Sequence, residues 1–205
     1  MSQRVAGEAD LDAIAETLAG AFEDDRAWGW AFEEPGGPAD PERKLAALRT
    51  VFRFCAAAAL GYGWVRVTDG VEAAALWIPP GEPEMSPVDA ERFPEVIRTA
   101  CGEVTGERLL MVMEGFDRDH PSDPPHYFLD VLGTHPDHAG HGFGLGLLAE
   151  NLAEIDAAGG APVFLETSKP HNVGLYERFE FEVERESEVL PGIGSTHMWR
   201  QPRVA

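Results

Sequence analysis

The chain has 205 residues, 44% of them hydrophobic and 25% charged, a balance that excludes a disordered, collagenous or coiled-coil chain and is large enough to bury a core without disulfides. Acidic residues number 36 and basic residues 16, for a formal net charge of −20. Such a surface repels nucleic acid and anionic membrane at long range and attracts cations; it reads first as a solubility feature, the sharper reading being a cationic small-molecule partner such as an amine.

One domain over 1–205 is expected. Gln3 to Ala6 reads as a short strand, and Leu11, Ile14, Leu18 and Phe22 recur at helical spacing after an acidic first turn. Residues 23–40 hold two tryptophans and the breaker EEPGGPADP and read as a loop. Pro41 opens a second helix with Leu45, Leu48, Phe52 and Cys55 on one face, ending near Gly61. Trp64–Thr68 and Val71–Ile78 flank Asp69-Gly70 as a hairpin, which Pro79-Pro80-Gly81 stops. Residues 87–118 read as a helix in two pieces, weak near Gly102, and three prolines in 119–125 exclude a continuing helix.

The second half carries the chemistry. His126–Thr134 reads as a buried strand, followed by the turn HPDHAGHGFGLG at 135–146 and a helix to about Ala158 capped by Gly159-Gly160. A short strand at Pro162–Glu166, a short helix at His171–Phe179 and strands at 180–186 and 195–200 complete the chain. A glycine-rich turn between a strand and a helix N-terminus presents backbone N–H groups and the positive helix dipole, which suits phosphate. The spacing Gly140-x-Gly142-x-Gly144-x-Gly146 matches neither the dinucleotide pattern nor the P-loop. His135, His138 and His141 at spacing three lack a cysteine set and a helical scaffold, so no metal is expected. Cys55 and Cys101 form no disulfide framework and point to a reducing, cytoplasmic setting; the opening MSQRVAGEAD has no apolar run of a signal peptide, and stretches such as 54–60 are too short to cross a bilayer.

These residues carry a resemblance. PDHAGHGFG at 136–144, after HYFLDVLGTH, resembles the acyl-CoA motif of the GNAT N-acetyltransferases, P-x-x-[Gln/Arg]-G-x-G-x-[Gly/Ala]. PVFLETSKPHNVGLYERFEFEV at 162–183 resembles that family's strand, Asn turn and Tyr-bearing helix; EADLDAIAETLAGAFEDD and AAALWIPPG resemble its N-terminal half. The resemblance implies an α/β (α+β) GNAT fold: a mixed central sheet of six to seven strands flanked by helices, with splayed central strands binding acetyl-CoA. It implies that the coenzyme A pyrophosphate is held by the backbone of Ala139, Gly140, His141, Gly142, Phe143 and Gly144. The pantetheine arm would bond to Leu132, Gly133 and Thr134, with Asn172 also on the cofactor. Two departures stand out: Ala139 replaces the usual Gln or Arg, and Glu180 the usual Gly before Phe181.

The implied activity is direct acetyl transfer to a small-molecule amine without an acyl-enzyme, an aminonucleoside antibiotic being the sharpest version. A protein, polyamine or aminoacyl acceptor, or an acyl-CoA sensor without turnover, are the rivals, and the protein would be a monomer or homodimer. Tyr176, in LYERF, is expected to protonate the leaving thiolate. The base is open among Asp130, a carboxylate in an apolar strand whose burial would raise its pKa, His126 acting through water, and Glu166, which the resemblance places near the splayed strands. Period-2 alternation puts Phe128, Asp130, Leu132 and Thr134 on one strand face. Glu114, Trp28, Trp30 and Trp77 are candidates to line the amine pocket, though tryptophans in such segments are more often core.

Overall fold

A computed structural model describes residues 2–34, 37–38 and 40–203. One sheet of seven strands runs in the order β1-β4-β5-β6-β7-β9-β8. These are β1 (Gln3–Val5), β4 (Val65–Thr68), β5 (Ala73–Ile78), β6 (Tyr127–Thr134), β7 (Val163–Thr167), β8 (Glu182–Leu190) and β9 (Ile193–Arg200). All neighbours are antiparallel except β6 and β7. That parallel pair needs a crossover, which α6 (Phe143–Ala157) supplies as the predicted strand–turn–helix–strand unit.

The remaining helices are α1 (Leu11–Phe22), α2 (Arg26–Ala31), α3 (Pro41–Ala59), α4 (Pro87–Cys101), α5 (Glu103–Asp117) and α7 (Pro170–Glu177). The expected loop at 23–40 is thus partly helical. Asp25 accepts from the N–H groups of Ala27 and Trp28, at 2.8 and 3.3 Å, and so caps α2. The pair β2 (Glu33–Glu34) and β3 (Gly37–Pro38) follows it. By length and composition alone, α3 with the turn after it could cross a bilayer. Its inner face, with Leu48, Val51, Phe52 and Ala56, lies instead in the protein's core.

The centre of the sheet is buried on both sides, while most of β8 at its edge is exposed. Along β5, Ala74, Leu76 and Ile78 join the core built with α1, α3 and α4, while Ala73, Ala75 and Trp77 join the core under α6. A strand covered on both faces reads as a continuous apolar run, as AAALWI does.

The centre of the sheet departs from a regular ladder. Leu76 pairs with Val131 and Trp77 with Leu129, which leaves Asp130 as the extra residue of a β-bulge. The bulge shifts the alternation. Phe128 and Val131 face the α1 core, whereas Leu129 and Leu132 face α6. The predicted single face of Phe128, Asp130, Leu132 and Thr134 is therefore corrected: an inserted residue moves everything after it to the opposite face. Beyond the bulge β6 also parts from β7. They pair only over Tyr127–Leu129 and Val163–Leu165, although β6 continues to Thr134 and β7 to Thr167. The gap opens at Asp130 and Glu166.

Two glycines let helices close on this strand. A Cβ at Gly144 would lie 2.6 Å from Thr134 Oγ1, and one at Gly133 would lie 2.8 Å from Leu18 Cδ2 and 2.9 Å from Ala21 Cβ. Both partners of Gly133 belong to α1, which cannot withdraw without opening the core. Gly133→Ala is expected to lower stability by about 1–3 kcal/mol through overpacking. Chemical denaturation should show a lower midpoint at unchanged slope; an unchanged midpoint would mean α1 is not seated as described.

Candidate active site

At the far end of the gap, a single 3₁₀ turn at Pro136–His138 leads into the glycine turn. Gly140 and Gly142 take φ of 78° and 80°, a region open to glycine at little cost, and nothing lies within 4 Å of where a Cβ would stand. Within the turn, Ala139 N–H donates to Pro136 and Gly146 N–H to Gly142. The N–H groups of Gly140, Gly142, Phe143 and Gly144 meet no protein acceptor among the described residues. Orphan donors at the start of a fifteen-residue helix form an anion cradle. Ala139 adds no side-chain donor, so binding there falls to the backbone. Glu180 adopts φ 67° and ties up its carboxylate with Arg203 at 2.6 and 2.8 Å.

From this turn a cavity of about 480 Å³ runs between the parted strands. Its walls include Ala139 and Gly140 at one end, Leu132, Gly133 and Thr134 along β6, and Asn172 and Tyr176 on α7. The unpaired edge of β6 offers main-chain groups to an extended ligand arm. Tyr176 is buried, and its hydroxyl donates to no protein atom among the described residues. Burial pushes its pKa to about 12, so it holds its proton at neutral pH.

Asp130 and Glu166 line the same cavity where the strands part. Burial, reinforced by the charge of Asp117, raises Asp130 to about 7. Burial raises Glu166 to about 8, against a lowering hydrogen bond from Ser195 at 3.3 Å. Glu166 Oε2 also lies 3.5 Å from Nε2 of the buried His197. These are carboxyls that exchange protons near neutrality.

A second cavity of about 730 Å³ adjoins the first, and the two share Glu84, Met113, Asp117 and Phe128. The structure places His126 and Glu114 here, apart from Tyr176. His126 Nδ1 lies 2.7 Å from the Pro124 carbonyl; a carbonyl only accepts, so that nitrogen carries the proton. Sequence reading missed Glu84 and Asp117. Glu84 stands in the turn after β5, where proline and glycine mask any periodicity; Asp117 ends α5 and looks like a solvated helix end. Burial and the charges of Asp130, Asp117 and Glu166 raise Glu84 to about 9; desolvation at the cavity wall and Glu114 raise Asp117, which keeps an exposed face.

The three aromatic candidates divide. Trp28 borders the first cavity. Trp77 does not line either: it is fully buried under α6, its indole N–H donating to Asn151 Oδ1 at 2.8 Å. That corrects its expected place in the acceptor wall, since odd positions of β5 face the α6 core. Trp30 stacks under Arg108 at 4.2 Å, outside both cavities. His135, His138 and His141 form no metal-binding group among the described residues; His141 Nδ1 lies 3.1 Å from the Ala139 carbonyl. Neither cysteine lines a cavity, and burial pushes both thiols up, Cys101 to about 11.

No protein-family model matches the sequence. Solved acetyltransferases share its fold from end to end. A histone acetyltransferase HPA2 and related acetyltransferase from Corynebacterium glutamicum is 21% identical, with a TM-score of 0.68 over 100% of this chain and 97% of that one. Arylalkylamine N-acetyltransferase 2 from Aedes aegypti is 13% identical, with a TM-score of 0.60 over 98% and 99%. A polyamine N-acetyltransferase from Drosophila melanogaster is 15% identical, with a TM-score of 0.53 over 98% and 99%. The chain has the fold of the GNAT acetyltransferases.

Proposed function

We propose that this protein transfers the acetyl group of acetyl-CoA to the primary amine of a small molecule, without a covalent acyl-enzyme. One observation carries the reading. The parting of β6 and β7 brings a phosphate-binding turn, an unpaired strand edge, a protonated phenol and two carboxyls into one cavity. The fold neighbours bear the names of arylalkylamine and polyamine acetyltransferases, which supports an amine as acceptor.

Coenzyme A supplies an activated acetyl thioester when bound. The free N–H groups of Gly140, Gly142, Phe143 and Gly144 suit its pyrophosphate, and the edge at Leu132–Thr134 suits the amide-bearing arm. Asp130 and Glu166 accept the proton that an ammonium must lose before its nitrogen can attack. Tyr176 donates the proton that the departing sulfur takes up. The raised thiols of Cys55 and Cys101 and their place outside the cavities make them poor nucleophiles, which supports direct transfer.

The test is acetyl-CoA-dependent release of free thiol, read with a thiol dye across aminonucleosides including puromycin, arylalkylamines, diamines, aminoglycosides and short peptides. Release above background with one acceptor class is expected. Absence of release from every class, with no binding of acetyl-CoA by calorimetry, would sink the assignment.

A further inference from the structure

The acids around the two cavities differ from those elsewhere in the chain. Asp10, Asp156 and Glu180 accept paired arginine hydrogen bonds, and Glu154 accepts from Arg66. The side chains of Glu82, Glu84, Glu114, Asp117 and Asp130 have no hydrogen bond and no ion pair among the described residues. The one basic side chain of lysine or arginine type in either lining is Lys169, whose Nζ donates to the Ala21 carbonyl at 3.1 Å and sits over Phe22. Glu84 and Asp130 are half-buried and Glu82, Glu114 and Asp117 are exposed at the cavity rim; ionising acids gathered without a basic partner is costly, and a bound cation removes that cost.

Two further side chains, each more than nine-tenths buried, present free acceptor atoms to these cavities. His126 is 8% exposed and lines the larger one; with its proton on Nδ1 toward Pro124, its Nε2 lone pair has no protein partner. The Glu166 side chain is 8% exposed and lines the smaller one; Oε2 is engaged by Ser195, and Oε1 has no protein partner. Free acceptors thus stand in two adjoining cavities whose shared wall holds Glu84 and Asp117. A monoamine would satisfy one cavity alone.

Resting on the acetyltransferase reading above, we propose that the acceptor is a dication of the α,ω-diamine type. Its reacting nitrogen lies beside Asp130 and Glu166, and its distal ammonium lies in the larger cavity, held by Glu84 and Asp117 with His126 Nε2 as a further acceptor. The apolar wall of Met113 and Phe128 between the two ends suits the methylene chain.

The experiment compares α,ω-diamines of three to six carbons with n-alkylamines of equal length, as acetyl acceptors and as ligands in calorimetry of the intact protein without acetyl-CoA. The wild type should favour the best diamine at least tenfold in kcat/KM, chiefly through KM. In the double variant Glu84→Gln with Asp117→Asn that ratio should fall at least tenfold. Both changes keep the side-chain shape and break no side-chain hydrogen bond or ion pair, so the fold should survive; circular dichroism checks this, and the wild-type comparison stands without the variant. Transfer to monoamines and diamines at equal efficiency in the wild type overturns the dication, as does a ratio that survives in the folded double variant. Tighter diamine binding without transfer to any amine leaves the dication site standing and overturns the transferase reading instead. No transfer and no diamine preference in calorimetry overturns both.

Discussion

Replacing Tyr176 by Phe is expected to lower kcat about 100-fold, within the range for loss of a positioned general acid, while the affinity for acetyl-CoA changes little. The argument is geometric. The ring fills the core under α6, against Phe181 at 5.9 Å between centroids, and Phe keeps that packing. The hydroxyl bonds to no described protein atom, so its removal orphans no partner. Loss of stability should stay within about 0.5 kcal/mol for a change that breaks no packing and no hydrogen bond. Calorimetric titration with acetyl-CoA, alongside steady-state rates, separates the roles. A fall in affinity equal to the fall in rate would make Tyr176 a binding residue. An unchanged rate would move the proton donor elsewhere, to water or to Glu166.

Much of this site was legible because its parts are local. The glycine turn, the strand before it and the helix after it follow one another in sequence, so spacing and composition identify them without tertiary knowledge. Tyr176 comes instead from the resemblance of LYERF to the family's Tyr-bearing helix, since a lone Tyr by itself reads as core. What escaped is what depends on register or on distant elements. A β-bulge adds one residue without any mark in the sequence; Asp130 sits in HYFLDVLGT like any alternating position, and only the pairing with Leu76 and Trp77 shows it is the extra one. Glu84 and Asp117 are 33 positions apart in number, and their meeting depends on how α4 and α5 fold back over the end of β5. Trp77 looked like a pocket residue until the alternation of β5 put it under α6. Asp25 hid in a stretch dominated by breakers, though Asp before an apolar run is a helix start.

The splay and the bulge have one consequence that activity and stability should reveal together. Asp130 is a carboxyl raised to about 7 by burial, so the folded chain holds a proton there that the unfolded chain releases near the ordinary Asp value. Between those two pKa values the native state binds more protons, and its stability falls as pH rises. Glu166, raised to about 8, and Glu84, raised to about 9, act in the same direction. His120, lowered to about 4, and His197, also lowered, act the other way below about pH 6.5, so the carboxyls should make the protein lose stability from about pH 6.5 through pH 8. Catalysis needs the other form. A base must be ionised to accept the ammonium proton, so kcat/KM should climb over the same interval in which stability declines. Asp130→Asn separates the two. It removes the ionisation while keeping the shape, and should raise stability at pH 8 by about 1–2 kcal/mol, or roughly 2–8 °C in Tm for a chain of this size. Over the same change kcat should fall about 100-fold, and the stability profile from about pH 6.5 to about pH 8 should flatten. Melting curves and initial rates at pH 5, 6, 7 and 8 measure both. A variant that is less active and also less stable at pH 8 would make Asp130 a structural residue, because a charge held for catalysis against its surroundings must stabilise the fold when it is taken away.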